Sequence, residues 1–222
     1  MDWTAFAVSL QLATATTALL LLFAIWLARL LATHRFPGRS LVEGIVALPL
    51  VLPPTVLGYY LLVAFSRDSL IGRVYETATG EMLAFSFEGL LLASLVYSLP
   101  FAVQPLLRAY EALPRNLREA AWCSGLGRWQ TFRMVELPLI LPGLLSAGVL
   151  TFAHTLGEFG VVLMIGGNIP GETRTLAVSI YDSTQAFDDA AAGTMSLLLL
   201  AFSLVTVTLV YAVEARRRRG GA

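Results

Sequence analysis

Few side chains in this sequence can carry chemistry, and their types exclude more than they allow. All fifteen basic residues are arginine, and there is no lysine. A phosphate-binding loop ending in Gly-Lys-Ser/Thr is therefore impossible, as is a lysine Schiff base, so any ATP must be hydrolysed by another chain. The single Cys123 rules out an internal disulfide, and His34 and His154 lie far apart without metal-site spacing. His154 and Glu158 stand one helical turn apart, but one imidazole and one carboxylate make an incomplete metal site. The expectation is a chain with no catalytic residue, metal or bound cofactor. What remains is a set of hydroxyls and one acid. Ser9, Thr16 and Thr17 share one helical face with Ala13, and Ser94 and Ser98 share another. Such groups either line a path as weak donors or let membrane helices pack closely. Glu158 is the one acid inside an apolar stretch, flanked by Gly157 and Gly160. It should face a bundle interior or a cavity, and a structural hydrogen bond to a neighbouring helix or loop suits it better than direct contact with a ligand.

These groups must be held by helices in a bilayer. The chain has 222 residues, of which 57% are hydrophobic and 14% charged, and the mean hydropathy is +0.73. A span needs about 20 mostly apolar residues. Five stretches qualify: Trp3 to Ala28, Ile45 to Phe65, Leu90 to Leu107, Gly143 to Ile165, and Thr194 to Val213. Pro49, Pro53 and Pro54 interrupt the second, and Pro100 and Pro105 the third, as hinges, cavity linings or tolerated kinks. The reading is an all-α, polytopic membrane protein, one transmembrane domain over residues 1–222. Residues 166–193 form an outer loop with a short helix near Leu176 to Gln185. The first stretch lacks a basic leader and should stay in the mature chain. Twelve arginines lie in segments 29–39, 108–133 and 216–219, against three in 66–88 and 166–193. By the positive-inside rule the N-terminus is outside and the C-terminus cytoplasmic. With Glu43, Glu111, Glu119, Glu136 and Glu214 counted on the inner side and Asp2 with the eight acids of 66–88 and 166–193 on the outer, the two sides carry +7 and −6, and Glu158 supplies the last negative charge of a chain whose net charge is zero. That balance excludes a basic nucleic-acid binder, and Arg216 to Arg219 read as an anchor to acidic lipid headgroups.

The inner loop, about 108–142, is not a passive connector. Glu119, Ala120 and Ala121 make a helical turn with a small face, Trp122 adds a large apolar anchor, and Gly125 and Gly127 should end the helix in left-handed backbone angles. Pro138 and Pro142 bracket Leu139 to Leu141 before the fourth stretch. A small amphipathic plug of this kind fits a partner's groove, or lies on lipid headgroups.

The run Glu119-Ala120-Ala121, then Gly125, then Leu137-Pro138 and Pro142, resembles the E-A-A loop of type I ATP-binding-cassette (ABC) importer permeases. Gly157-Glu158-Phe159-Gly160, Gly167-Asn168-Ile169-Pro170-Gly171 and the Pro53-Pro54 pair are similar to the molybdate permeases within that family, a pattern shared partly with sulfate permeases. The resemblance covers essentially the whole chain. It implies a permease subunit that moves molybdate, or related tungstate or sulfate, into the cytoplasm by alternating access. It also implies a homodimer in a bacterial or archaeal plasma membrane, two copies of a cytoplasmic ATPase subunit that use ATP and magnesium, and an external oxyanion-binding protein. Glu119, Ala120, Ala121, Trp122, Gly125, Leu137, Pro138 and Pro142 would then dock the ATPase. Ser9, Thr16, Thr17, Pro53, Pro54, Ser98, Glu158 and Gly160 are candidates for the path or gate, and Asn168, Pro170 and Gly171 for contact with the binding protein. No arginine falls inside an apolar stretch, so a deep cationic trap for the anion is not expected. A lone secondary transporter would call for inverted repeats and intramembrane ion pairs, which the sequence does not display.

Overall fold

The computed structural model describes residues 1–114 and 116–220, with side chains described as far as residue 208. Among these residues it is all helical: α1 (Trp3–Thr33), α2 (Arg39–Val51), α3 (Pro54–Phe65), α4 (Leu70–Thr79), α5 (Phe87–Glu111), α6 (Asn116–Cys123), α7 (Arg128–Thr131), α8 (Leu137–Leu156), α9 (Gly160–Gly166), α10 (Leu176–Gln185) and α11 (Asp189–Gly220), with a π turn at Phe132–Glu136 between α7 and α8. Four helices are long and apolar enough to cross a membrane, and a fifth span results if α2 and α3 are counted together.

The long helices start where short polar side chains satisfy their first amides. Asp2 accepts from the Ala5 N–H at 2.9 Å to open α1, and Ser86 accepts from the Gly89 N–H at 3.1 Å to open α5. The centre of the fold is the packing of α1, α5 and α8. Their contact faces are built from small residues, Ala24 and Ala28 on α1, Ala102 on α5 and Ala147 on α8, all fully buried, with Leu31, Leu106 and Ile140 filling between them. In lipid, where burial of oil against oil gives little drive, such close backbone approach is what holds helices together. On the other side α9 lies against α3 and α5, sealed by Leu57, Ala93, Val161 and Ile165.

Several expected boundaries differ. The second apolar stretch is not one straight span, because α2 and α3 meet at an angle of 113°. Leu52 and Pro53 are both extended, with ψ of 136° and 137°, as residues that precede proline prefer to be. The fourth stretch also divides: α8 stops at Leu156 and α9 begins at Gly160. Pro138 and Pro142 lie within α8 rather than before it, and α5 carries on to Glu111, so the true inner connection is shorter than 108–142. Gly125 is left-handed, with φ of 83°, but Gly127 has φ of −70° and opens α7 instead. The amphipathic α4, for which the sequence analysis names no helix, follows a Ser69 cap that accepts from the Gly72 N–H at 2.8 Å. The short helix Leu176–Gln185 falls at the expected bounds.

Candidate functional site

The sequence-selected residues fall into three separate groups. In the first group, α6 presents Glu119, Ala120 and Trp122 to the surface and turns Ala121 into the fold. It is fastened by an ion-pair cluster that the sequence reading missed. Glu136, 1% exposed, accepts from Arg29 Nε at 2.7 Å and from Arg29 Nη2 at 3.0 Å, and lies 3.0 Å from Arg118 Nε. One buried carboxylate thus joins the end of α1, the exposed helix α6 and the π turn. Two cations around it supply the pairing that a buried acid needs. The Arg29 guanidinium also stands 5.5 Å from the Phe132 ring centroid and 5.9 Å from that of Trp26, and Trp26 and Phe132 stack at 4.9 Å. Leu137 and Pro138 follow directly as the first turn of α8, while Pro142 lies one turn further along it. The signal available in the sequence was Glu136 itself, an acid in an otherwise apolar run.

The second group surrounds the break between α8 and α9. Glu158, 4% exposed, accepts from Ser94 Oγ at 2.9 Å, and its second carboxylate oxygen has no partner among the described residues. One turn along α5, the Ser98 hydroxyl is 2.9 Å from Thr155 Oγ1 and 3.0 Å from His154 Nδ1. The imidazole is stacked on Phe101 at 3.9 Å. His154 and Glu158 therefore each pair with α5 rather than with each other. Gly160 meets Pro54, so that a Cβ there would come within 2.8 Å of the proline Cβ; Gly58 meets Met164 four residues further along both helices. The proline break of the second stretch and the glycine break of the fourth are thus packed together, with Glu158 beside them. Ser9 is not part of this group: its hydroxyl accepts from the Leu176 N–H at 2.7 Å and caps α10 across 167 residues of sequence. Thr16 is buried, and the hydroxyls of Thr16 and Thr17 have no partner among the described residues.

The third group lies in residues 166–193. Gly167, Asn168 and Gly171 all have positive φ. Asn168 donates to Asp182 Oδ2 and accepts from Arg174 Nε, both at 2.7 Å, so it clasps α10 to the loop. Pro170 and Gly171 stand exposed beyond it. Nearby, burial raises the Asp2 carboxyl, but the Ala5 N–H, the hydroxyls of Thr4 and Ser179 and the charge of Arg174 together hold it below its usual value of 3.8.

Comparison with known proteins gives the chain's family. Residues 10–219 match the family described as the binding-protein-dependent transport system inner membrane component. The chain belongs to that family. It is therefore a multi-pass component of an inner-membrane transport system. It is 45% identical over 220 residues to the molybdenum transport system permease protein ModB of Azotobacter vinelandii, covering 99% of this chain and 96% of that one. It is 37% identical over 223 residues to ModB of Escherichia coli K12, covering 99% and 97%. Among solved structures, the crystal structure of a bacterial alginate ABC transporter in complex with a pentasaccharide-bound periplasmic protein contains a chain of the same fold. Its TM-score is 0.77 at 18% identity, covering 96% of this chain and 78% of that one.

Proposed function

We propose that this chain is the membrane-spanning subunit of an importer for molybdate or a chemically similar tetrahedral oxyanion. The full-length likeness to molybdenum transport permeases supports the substrate class, and the observation that carries the mechanism is the fastening of α6 through Glu136 to α1 and α8. A homodimer would form the pathway. Each copy would offer α6, with Glu119, Ala120 and Trp122 outward, to one cytoplasmic ATPase subunit, and those two subunits would bind and hydrolyse the ATP with magnesium. This chain has no lysine for a nucleotide loop of its own. The N-terminus and the 166–193 loop face outward, where Asn168, Pro170 and Gly171 would help seat an oxyanion-binding protein. Movement of the ATPase pair shifts α6, and the ion-pair cluster passes that movement to α1 and α8 together as rigid elements.

The paired breaks around Glu158, Gly160, Pro53 and Pro54 are the gate in this reading, with Ser98, Thr16 and Thr17 as weak donors along the path. Ser9 is better read as a helix cap, given its bond to Leu176. Weak donors let a dianion leave, whereas a deep arginine site would retain it. Selectivity then rests with the binding protein. The test is uptake of labelled molybdate into proteoliposomes holding the chain, its ATPase and its binding protein. Uptake should require all three and ATP, and sulfate and tungstate should be carried in the order in which the binding protein binds them. Uptake by the chain alone without ATP would overturn the reading.

A further inference from the structure

The inner end of α1 and the exposed helix α6 enclose a recess of about 370 Å³ lined by Trp26, Arg29, His34, Arg118, Trp122 and Arg128, with Leu30 and Thr33 between them. None of its described lining residues is acidic. Two guanidinium groups already share the single carboxylate of Glu136 beneath, and Arg128 makes no ion pair among the described residues. The cavity therefore holds an excess of positive charge, fork-shaped donors, and indole walls half exposed at Trp26 (48%) and Trp122 (49%). Fork-shaped donors suit tetrahedral oxyanions, and flat amphipathic rings suit the boundary between acyl chains and headgroups.

Its depth in the bilayer follows from α1. Trp3, at the other end of that helix, is 63% exposed, and 23 residues of helix between Trp3 and Trp26 make about 35 Å. The two indoles thus bracket a hydrocarbon layer of about 30 Å. The recess lies one turn beyond Trp26, at the level of lipid phosphates.

We propose that this recess binds a phosphate-class tetrahedral oxyanion, presented by the headgroup of an anionic phospholipid. Such a lipid would tie α6 to the membrane surface beside α1. The inference goes beyond the transport reading and does not depend on the cargo.

The test uses the full chain in neutral detergent, with lipid adducts counted by native mass spectrometry and tryptophan emission followed during titration. Short-chain phosphatidic acid should bind saturably and shift the emission, whereas phosphatidylcholine of the same chain length should not. Arg128→Gln should weaken binding about tenfold, the effect of losing one charge-assisted contact. Arg133→Gln, an exposed arginine outside the recess, should leave the affinity unchanged. Inorganic phosphate binding as tightly as the lipid would overturn the lipid source. Absence of saturable binding, or equal weakening by both variants, would overturn the site.

Discussion

Glu158 is the residue whose surroundings bear most on the proposed gate. It makes one hydrogen bond, from Ser94, and no cation stands near enough to pair with it among the described residues. Glu158→Gln keeps a carbonyl oxygen to accept that bond and should retain assembly and most of the uptake rate. Glu158→Ala leaves the buried Ser94 hydroxyl without its acceptor and should cost about 1–3 kcal/mol. Thermal unfolding in detergent, measured beside uptake, separates the two. Loss of uptake in a well-assembled Glu158→Gln would show that the carboxylate itself is required. At this scale the sequence was partly readable. The acid in an apolar run announced itself, and so did the hydroxyls of Ser94 and Ser98 at helical spacing. The bond that Ser9 accepts was not readable, because it comes from the amide of Leu176, 167 residues away, and no local pattern signals that. Glu136 was passed over because hydropathy counts a lone acid at a helix start as ordinary boundary charge, while its two arginine partners come from distant segments.

Helix breaks were the least legible elements. Apolar runs give length and not direction, so the 113° bend between α2 and α3 and the stop at Leu156 both vanished into spans of plausible size. Prolines and glycines were visible, but whether a proline kinks or ends a helix depends on what packs against the gap. Here the two gaps fill each other. Gly160→Ala would drive a methyl group to 2.8 Å from the Pro54 Cβ, whereas the same change at Gly157 meets nothing nearer than 3.7 Å. Gly160→Ala should therefore lower stability by about 1–3 kcal/mol and impair uptake. Gly157→Ala should be nearly silent, and Gly58→Ala, facing the flexible Met164 side chain at 3.0 Å, should fall between them. Melting curves for the three variants check the order. A reversed order would show that the α3–α9 contact is not tight.

For the molecule as a whole, the +7 and −6 charges read from the sequence predict a direction in the membrane by the positive-inside rule, and with it an outer face that would repel a free dianion. Cys123 is the chain's single cysteine and is exposed at the end of α6. A membrane-impermeant maleimide should label it in inside-out vesicles and not in intact cells, and bound ATPase subunits should slow that labelling. With Cys123→Ser as background, Phe187→Cys, at a position 91% exposed beyond α10, should react from the opposite side. Labelling of both from one side would reverse or refute the topology. The π turn at Phe132–Glu136 adds a consequence for how the inner and membrane halves are geared. A π turn holds one residue more than the α-helical turn it replaces, so it works like a spare link, taking up the extra residue without turning the segments on either side. Deleting one residue from this turn would let it relax to α-helix with Trp129 and the attached α6 still facing as they do relative to α8. Such a shortened chain should insert in the membrane and still engage its motor, and failure to engage would show that the bulge itself is required.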